Sequence, residues 1–252
     1  METAKARHLF LFFLTSHHQL LWEREQITER LWPELDPVTA ERDFKIAYNA
    51  LTNVLEPHRG RHAPSAYIRR DGSRYGLRPE ADIWLDVQVF DDEIAQGDAC
   101  LAGQGEADAL TQSVAQSVAQ SVAQSVAQSV AHYQRALSLY EGDYLQAYPF
   151  EEWTSIERER LLTLYLRTAE RVAAHLLAQE KWEEALQTAQ AILNRDACWE
   201  NAYRILMTAY AHMGNRAQAV RAYHRCLETL QSELGVPPTE ATVRLWQQIS
   251  GQ

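Results

Sequence analysis

Arginine is the residue type best placed to do chemistry in this 252-residue chain. Between His58 and Arg78 the sequence carries six arginines against Asp71 alone, which gives this segment a net charge of +5. The whole chain has a formal charge of −10, and its acidic excess lies almost entirely in residues 91–252. An acidic protein with one basic patch can attract a polyanion there while the remainder repels it. The alternative is a solvated, arginine-rich loop without a ligand.

Other reactive residues do not form catalytic or metal-binding patterns. The sequence has no phosphate-binding loop, Gly-x-Ser-x-Gly or His-Glu-x-x-His motif. His58 and His62 have a spacing that would suit a metal on a helix, but Gly60 and Pro64 predict a loop. The three cysteines are far apart, which excludes a disulfide framework and fits a reducing compartment. We therefore expect no metal, no cofactor and no enzymatic activity.

The apolar stretch near the N-terminus is too short for a membrane span or a secretory signal. It covers residues 9–14, whereas a span needs about 20 apolar residues and a signal core about 7–15. We interpret it as part of a buried first helix and expect a cytoplasmic protein that does not bind membranes.

The residues before the basic segment predict three helices. Residues 5–21 and 23–32 form the first two, and Pro33 ends the second. Asp36 and Pro37 supply a cap and a first-turn proline for a third helix that runs to about Leu55. Apolar residues of this helix recur at spacings of 4, 3 and 4, namely Phe44, Tyr48, Leu51 and Leu55. Its opposite face carries Arg42, Lys45, Asn49 and Asn53.

The basic segment itself predicts a β-hairpin. Residues 66–70 and 73–77 carry aromatic and β-branched residues and flank Asp71-Gly72, a strong hairpin signal. Three helices followed by an arginine-bearing hairpin make a winged helix-turn-helix, whose third helix enters the major groove of DNA. Asparagine and arginine read base edges, and arginine and lysine bind phosphates. We therefore predict groove contacts from Arg42, Lys45, Asn49 and Asn53, and wing contacts from Arg69, Arg70 and Arg74.

The second half contains a repeat of 34 residues, the length of a tetratricopeptide motif. Residues 182–186 match residues 216–220, and Gly214 with Asn215 supplies the turn between helices. Two clear copies and one degenerate copy predict a short helical solenoid, whose concave face binds a peptide or another domain. Near the C-terminus, Pro237-Pro238 breaks one helix and Thr239 is expected to cap the next.

Residues 112–131 are five identical copies of Gln-Ser-Val-Ala. Four residues advance about 400° around a helix, so the valines drift by about 40° per copy and cannot face one fixed core. Alanine and glutamine favour helix, so we expect an extended helix that is largely exposed. A dimerising coiled coil is the alternative, although the required 3.5-residue period is absent.

These segments resemble one family of bacterial regulators. Residues 31–37, the third helix and the 67–77 hairpin resemble the winged helix of the Streptomyces antibiotic regulatory proteins. Residues 139–145 and 233–240 resemble the beginning and the closing motif of the bacterial transcriptional activator domain. The resemblance covers roughly residues 5–100 and 132–250. It implies an activator that binds direct repeats in promoter DNA and contacts RNA polymerase.

Two features of the chain differ from that family. Its members have a small sheet before the first helix, whereas this chain starts almost at the helix. Their third helix carries several arginines near its C-terminal half, whereas residues 49–54 have none. Both differences favour an alternative, in which the chain is a protein-interaction or sensor module of a larger regulator and does not bind DNA by itself.

The sequence therefore predicts a mainly α protein with a winged helix-turn-helix, a small β-hairpin wing and a tetratricopeptide-like repeat domain. Residues 1–80 would form the DNA-binding domain, without the N-terminal sheet. Residues 81–252 would form the activator domain, with the repeat at 112–131 as an insertion. The predicted partners are double-stranded promoter DNA, RNA polymerase or another protein, and a second copy of the chain in a homodimer.

Overall fold

The computed structural model describes residues 2–15, 21–60, 63–102 and 115–251. Arg61, His62 and the first three residues of the Gln-Ser-Val-Ala repeat lie outside the described residues. Among the helices of the described ranges, none is both long enough and apolar enough to cross a membrane.

The chain divides into two compact units. The first unit runs to Trp84 and also includes Tyr144–Glu159, which the sequence analysis assigned to the second domain. The second unit consists of Leu85–Asp143 and Arg160–Gln252.

The first unit has the mainly helical, winged-helix architecture that the sequence predicts. Its strands form an antiparallel sheet in the order β1-β3-β2. Gly72, with φ of 63°, occupies the first position of the two-residue turn between β2 and β3, where a two-residue hairpin turn favours glycine. The elements are α1 (Glu2–Thr15), β1 (Trp22–Glu23), α2 (Arg24–Leu31), α3 (Pro37–Leu55), β2 (Ile68–Asp71) and β3 (Arg74–Leu77).

The structure corrects two predicted helix boundaries in this unit. The first helix was expected at residues 5–21, but α1 spans Glu2–Thr15 and Leu21 is not helical. The second was expected at residues 23–32, but Glu23 belongs to β1. The start of the second helix is shifted by a tertiary contact, because Trp22 and Glu23 pair with Tyr75 and Arg74 of β3.

The core of the first unit lies between α1, α3 and the sheet. Phe12 and Phe13 of α1 are each 1% exposed, as is Phe44 of α3. Ile68 of β2 and Tyr75 of β3 complete this buried cluster from the sheet side. Each of these large side chains contributes about 1.5–3 kcal/mol through burial, so the orientation of α3 against the sheet is strongly determined.

The second unit is helical in the part that the structure describes. Helices α7 and α9 begin 34 residues apart, which confirms the predicted repeat. Ala185 and Ala219 occupy matching positions in the two copies, and both are completely buried because small residues let paired helices approach closely. The helices are α4 (Asp86–Ala102), α5 (Ala115–Leu139), α6 (Glu152–Ala178, beginning in the first unit), α7 (Trp182–Arg195), α8 (Glu200–His212), α9 (Arg216–Glu233) and α10 (Glu240–Ser250).

Helix α5 contains the described part of the Gln-Ser-Val-Ala repeat, as predicted. The expectation that the valines cannot share one buried face is wrong for Val122, Val126 and Val130, which are all partly buried, because their accumulated drift of about 80° stays within the apolar face of one helix. Beyond the repeat, the ring of Tyr133 packs directly on Gly97 of α4. A Cβ at Gly97 would lie 2.5 Å from that ring, so glycine permits the close contact between α4 and α5.

Equivalent turns of the two repeats carry different residues at the same left-handed position. Gly214 has φ of 74° before α9, and Glu180, 34 residues earlier, has φ of 58° before α7. In both turns, the amide of the residue after this position donates a hydrogen bond to a carbonyl at the end of the preceding helix. Lys181 N donates to Leu176 O, and Asn215 N donates to Tyr210 O. A residue with a Cβ costs about 1–2 kcal/mol in this conformation, whereas glycine does not.

The N-terminus of α10 is capped by a side chain from another helix. Thr239 occupies the N-cap position, but its hydroxyl makes no cap hydrogen bond, which corrects the sequence prediction. Instead, Glu200 of α8 accepts hydrogen bonds from the Thr239 amide (2.8 Å) and the Thr239 hydroxyl (2.6 Å). The buried hydroxyl of Thr242 also donates to Glu200. Burial raises the pKa of Glu200, but the hydrogen bonds from Thr239 and Thr242 outweigh it and hold the pKa below its usual value.

Replacing Glu180 by glycine is expected to stabilise the repeat unit. The substitution Glu180→Gly removes the Cβ that is strained at φ of 58°, so the free energy of unfolding should rise by about 1 kcal/mol. Urea denaturation followed by circular dichroism measures this change. The matched variant Gly214→Ala should lower the free energy of unfolding, since it introduces a Cβ at the equivalent position. A stability loss in Glu180→Gly would contradict this account of the turn.

Removing the Glu200 carboxylate is expected to loosen α10. Glu200→Ala takes hydrogen-bond acceptors from Thr239 and from buried Thr242, so we expect a loss of roughly 1–3 kcal/mol at pH 7. Because the folded-state pKa is lowered, the contribution is complete above the usual glutamate pKa of about 4.3 and is lost as the pH falls through the folded-state value. The stability difference between wild type and variant, measured by urea denaturation, should therefore shrink below about pH 4.

The control for this experiment is Glu240→Ala. Glu240 pairs with Arg244 on the exposed surface of α10, and exposed pairs of this kind contribute little to stability. Equal effects of the two substitutions would contradict the capping role of Glu200.

Candidate nucleic-acid interface

Helix α3 is built so that one face is buried and the other is presented to solvent. Asp36 caps it, since its carboxylate accepts hydrogen bonds from the amides of Val38 and Thr39, each 3.1 Å long. Hydrogen bonding to Thr39 holds the pKa of Asp36 below its usual value, so the cap is charged at neutral pH. Phe44 and Leu51 are buried on the inner face, as the apolar spacing predicts. The predicted bounds of this helix are confirmed.

The four residues that the sequence assigns to this helix share its exposed face. The side chains of Arg42 and Lys45 are 68% and 63% exposed. Asn49 and Asn53 follow on the same face and are also exposed. Between them lies Ile46, which is 39% exposed. The face therefore combines two cations, two amides and one apolar side chain along three to four helical turns.

The two cations of this face are paired with neighbouring carboxylates. Arg42 pairs with Asp43 at 3.0 Å, and Lys45 pairs with Glu41 at 3.0 Å. Hydrogen bonding, first by Lys5 and then by Arg42, holds the pKa of Asp43 below its usual value. The pKa of Glu41 is lowered in the same way, first by Lys45 and then by Arg24. Both carboxylates are thus ionised at neutral pH, and α3 carries no net charge.

The hairpin carries positive charge that is not paired with carboxylates in the described part of the chain. Arg69 and Arg70 on β2 are exposed, and neither has a carboxylate partner among the described residues. Arg70 lies over the ring of Tyr75 at 5.6 Å, which fixes its side chain along the hairpin. Arg74 on β3 is different, because it pairs with Asp71 at 2.6 Å and lies 4.0 Å from Glu23.

Two other arginines of the basic segment have structural contacts. Arg59 donates a hydrogen bond of 2.7 Å to the carbonyl of Ala63 and lies 3.9 Å from Glu56. Arg78 donates a hydrogen bond of 2.6 Å to the carbonyl of Ser65. These two residues shape the loop that precedes the hairpin.

The acidic residues that pair with the predicted site were not expected from the sequence. Glu41 and Lys45 are four residues apart on one helix, a spacing that signals an ion pair and would have identified this partner. The pair between Lys5 and Asp43 joins residues 38 apart in sequence, so no local pattern reveals it.

The cysteines are poorly suited to nucleophilic chemistry. Cys226 is completely buried, and burial raises the pKa of its thiol to about 12, so the thiol is protonated at neutral pH. Burial also raises the pKa of Cys198. Within the described ranges, no group of three histidine, cysteine or acidic residues is arranged to hold a metal ion.

Comparisons with known proteins give a family match and a structural match. A family model described as bacterial transcriptional activator domain matches residues 106–250, more than half of the chain. No curated protein matches. Among solved structures, the chain is similar to Mycobacterium tuberculosis EmbR in complex with a low-affinity phosphopeptide, with a TM-score of 0.74 and 17% identity. This similarity covers 98% of the present chain and 59% of the EmbR chain, so the chain spans about three-fifths of that relative's length. At that identity it shows a shared fold.

Freeing the cations of α3 is expected to strengthen binding to polyanions. Glu41→Gln removes the partner of both Lys45 and Arg24, so the variant should leave a heparin column at higher salt than wild type. The control is Glu29→Gln, which makes the same change in net charge at an exposed position of α2. Identical elution of the two variants would show that the pairs on α3 do not limit polyanion binding.

Proposed function

The chain belongs to the bacterial transcriptional activator domain family of regulators, and we propose that it regulates transcription by docking α3 and the β2–β3 hairpin on promoter DNA. The observation that carries this proposal is the exposed face of α3 with Asn49 and Asn53, in the same unit as Arg69 and Arg70, which have no carboxylate partner among the described residues. In a winged helix the third helix enters the major groove, and the hairpin contacts the backbone.

Helix α3 and the hairpin make different contributions to DNA binding. Because α3 is electrically neutral, its contribution is hydrogen bonding to base edges by Asn49 and Asn53, supported by Arg42 and Lys45. The hairpin supplies attraction to phosphates, since each neutralised phosphate releases a counterion and contributes to affinity. The remainder of the chain is acidic and repels DNA, which confines contact to this face of the first unit.

The helical repeats are proposed to make the protein contacts of the regulator. A solenoid of paired helices presents a concave surface suited to a peptide or another domain. RNA polymerase or another protein, and a second copy of the chain, are the partners that we propose for this activity in the cytoplasm.

A second candidate function is a protein-interaction module that does not bind DNA by itself. The observation that favours it is apolar exposure within the first unit, where Phe150 is 95% exposed and Ile156 is 81% exposed. The zero net charge of α3 also favours an interaction module, because it weakens the attraction of this helix to a polyanion such as DNA. The two functions differ in what the hairpin arginines do.

Removing the two hairpin arginines is expected to weaken binding to all DNA sequences. Arg69→Ala with Arg70→Ala should lower affinity for the chain's own upstream DNA, with a salt dependence reduced by roughly 1–2 units of slope. Fluorescence anisotropy of labelled duplex, titrated across salt concentrations, measures both quantities. The control is Arg167→Ala with Arg221→Ala, an equal loss of charge at exposed positions of α6 and α9.

The outcomes separate the two candidate functions. Reduced affinity and slope in the hairpin variant alone would support docking of the wing on DNA. Equal losses of DNA affinity in both variants would mean that affinity depends only on the net charge of the protein. Absence of DNA binding by wild type at low salt would reject the proposal in favour of the interaction module.

A further inference from the structure

The exposed face of α3 has an unusual chemical composition for a helix that reads DNA. An arc of about 60° on the helix surface, at 100° per residue, contains Ile46, Asn49 and Asn53. All three are exposed to solvent. Glutamine, serine and threonine are absent from this arc, which also contains Arg42, so its side chains offer two amides, one aliphatic group and a guanidinium paired with Asp43.

The amide groups match adenine. Asparagine carries one acceptor and two donors, and adenine presents the N7 acceptor and the N6 amino donor in the major groove. One amide therefore forms two hydrogen bonds with one adenine. Guanine presents two acceptors there, N7 and O6, which favour a side chain with two donors such as arginine.

The side chains that would read guanine are held by carboxylates. Both Nε and Nη2 of Arg42 lie 3.0 Å from Oδ1 of Asp43, so the donor fork of this guanidinium faces the neighbouring carboxylate. Asp43 is fixed from the other side by Lys5 of α1. Lys45 is paired with Glu41, which Arg24 of α2 also contacts at 2.9 Å. These pairs leave the amides as the groups best oriented towards base edges.

The aliphatic group matches thymine, whose methyl group lies in the major groove. Ile46 is three residues from Asn49, an axial separation of about 4.5 Å, which is close to the 3.4 Å spacing of stacked base pairs. Its side chain and the Asn49 amide are therefore placed for neighbouring base pairs.

We propose that α3 reads adjacent A·T base pairs, with Asn49 and Asn53 hydrogen-bonding adenine and Ile46 contacting a thymine methyl group. This inference rests on the proposed function, since it specifies the sequence class that the same surface recognises. Arg42 and Lys45, in their pairs with acidic residues, support these contacts from the same groove.

The test begins with selection of bound duplexes from a randomised library by the full chain. The expected consensus contains adjacent A·T pairs. Anisotropy then compares three duplexes: the selected one, one with G·C pairs in the core, and one with uracil in place of the core thymines. The G·C duplex should bind roughly ten-fold more weakly. The uracil duplex, which lacks only the methyl groups, should bind roughly four-fold more weakly.

Variants assign these preferences to residues. Asn49→Ala should reduce the preference for the selected duplex over the G·C duplex, while the uracil effect persists. Ile46→Ala should abolish the uracil effect. Val54→Ala is the matched control, because Val54 is 74% exposed on the same helix but lies about 80° around the helix from Ile46. It should keep both preferences.

Each outcome bears on one of the two claims. Equal binding to the A·T and G·C duplexes, or selection of a G·C core, would overturn the inference while leaving DNA binding by the first unit intact. Loss of the uracil effect in Val54→Ala as well as Ile46→Ala would overturn the role of Ile46. Failure to bind any duplex at about 50 mM salt, where nonspecific phosphate contacts are strong, would overturn the proposed function and the inference with it.

Discussion

Burial of the apolar face of α3 is the constraint on which the first unit depends. Phe44, Ala47 and Leu51 are almost fully enclosed, and the ring of Phe44 meets that of Tyr75 on β3 at a centroid distance of 4.8 Å. Rotating α3 by one residue would turn these side chains through about 100° and expose them. The same packing therefore fixes which residues face solvent, and it joins α3 to the hairpin that bears the free arginines.

This dependence explains why the sequence predicts the positions of α3 and the hairpin more reliably than their ion pairs. The apolar spacing of α3 and the Asp-Gly of the hairpin are local signals, and both elements are where the sequence places them. Strand β1 has two residues and no periodicity, so only its pairing with β3 defines it. The neutralisation of Asp43 by Lys5 likewise depends on packing between α1 and α3, which no pattern within either helix encodes.

The placement of charge gives the proposed interface a division between affinity and specificity. Phosphate contacts position a protein on a duplex without reading its sequence, whereas contacts to base edges discriminate. A strongly cationic recognition helix would bind every duplex tightly and would narrow the difference between correct and incorrect sites. In the proposed interface, a neutral α3 beside a cationic hairpin would keep nonspecific attraction away from the helix that is proposed to read bases. Affinity then falls with salt through the hairpin, while discrimination through amide and methyl contacts does not depend on phosphate attraction.

The second unit shows the same contrast between local and tertiary determinants. The 34-residue repeat specifies α7 and α9, and aligning its copies places Glu180 opposite Gly214, so the strained turn can be read from sequence. The cap of α10 cannot, because Glu200 and Thr239 are 39 residues apart. Helix α9 ends at Glu233, and Pro237 and Pro238, which have no amide donor, separate it from α10. Glu200 accepts hydrogen bonds from the Thr239 amide and the Thr242 hydroxyl only when α8 is folded beside α10. The start of the last helix therefore gains part of its stability from packing between the repeats.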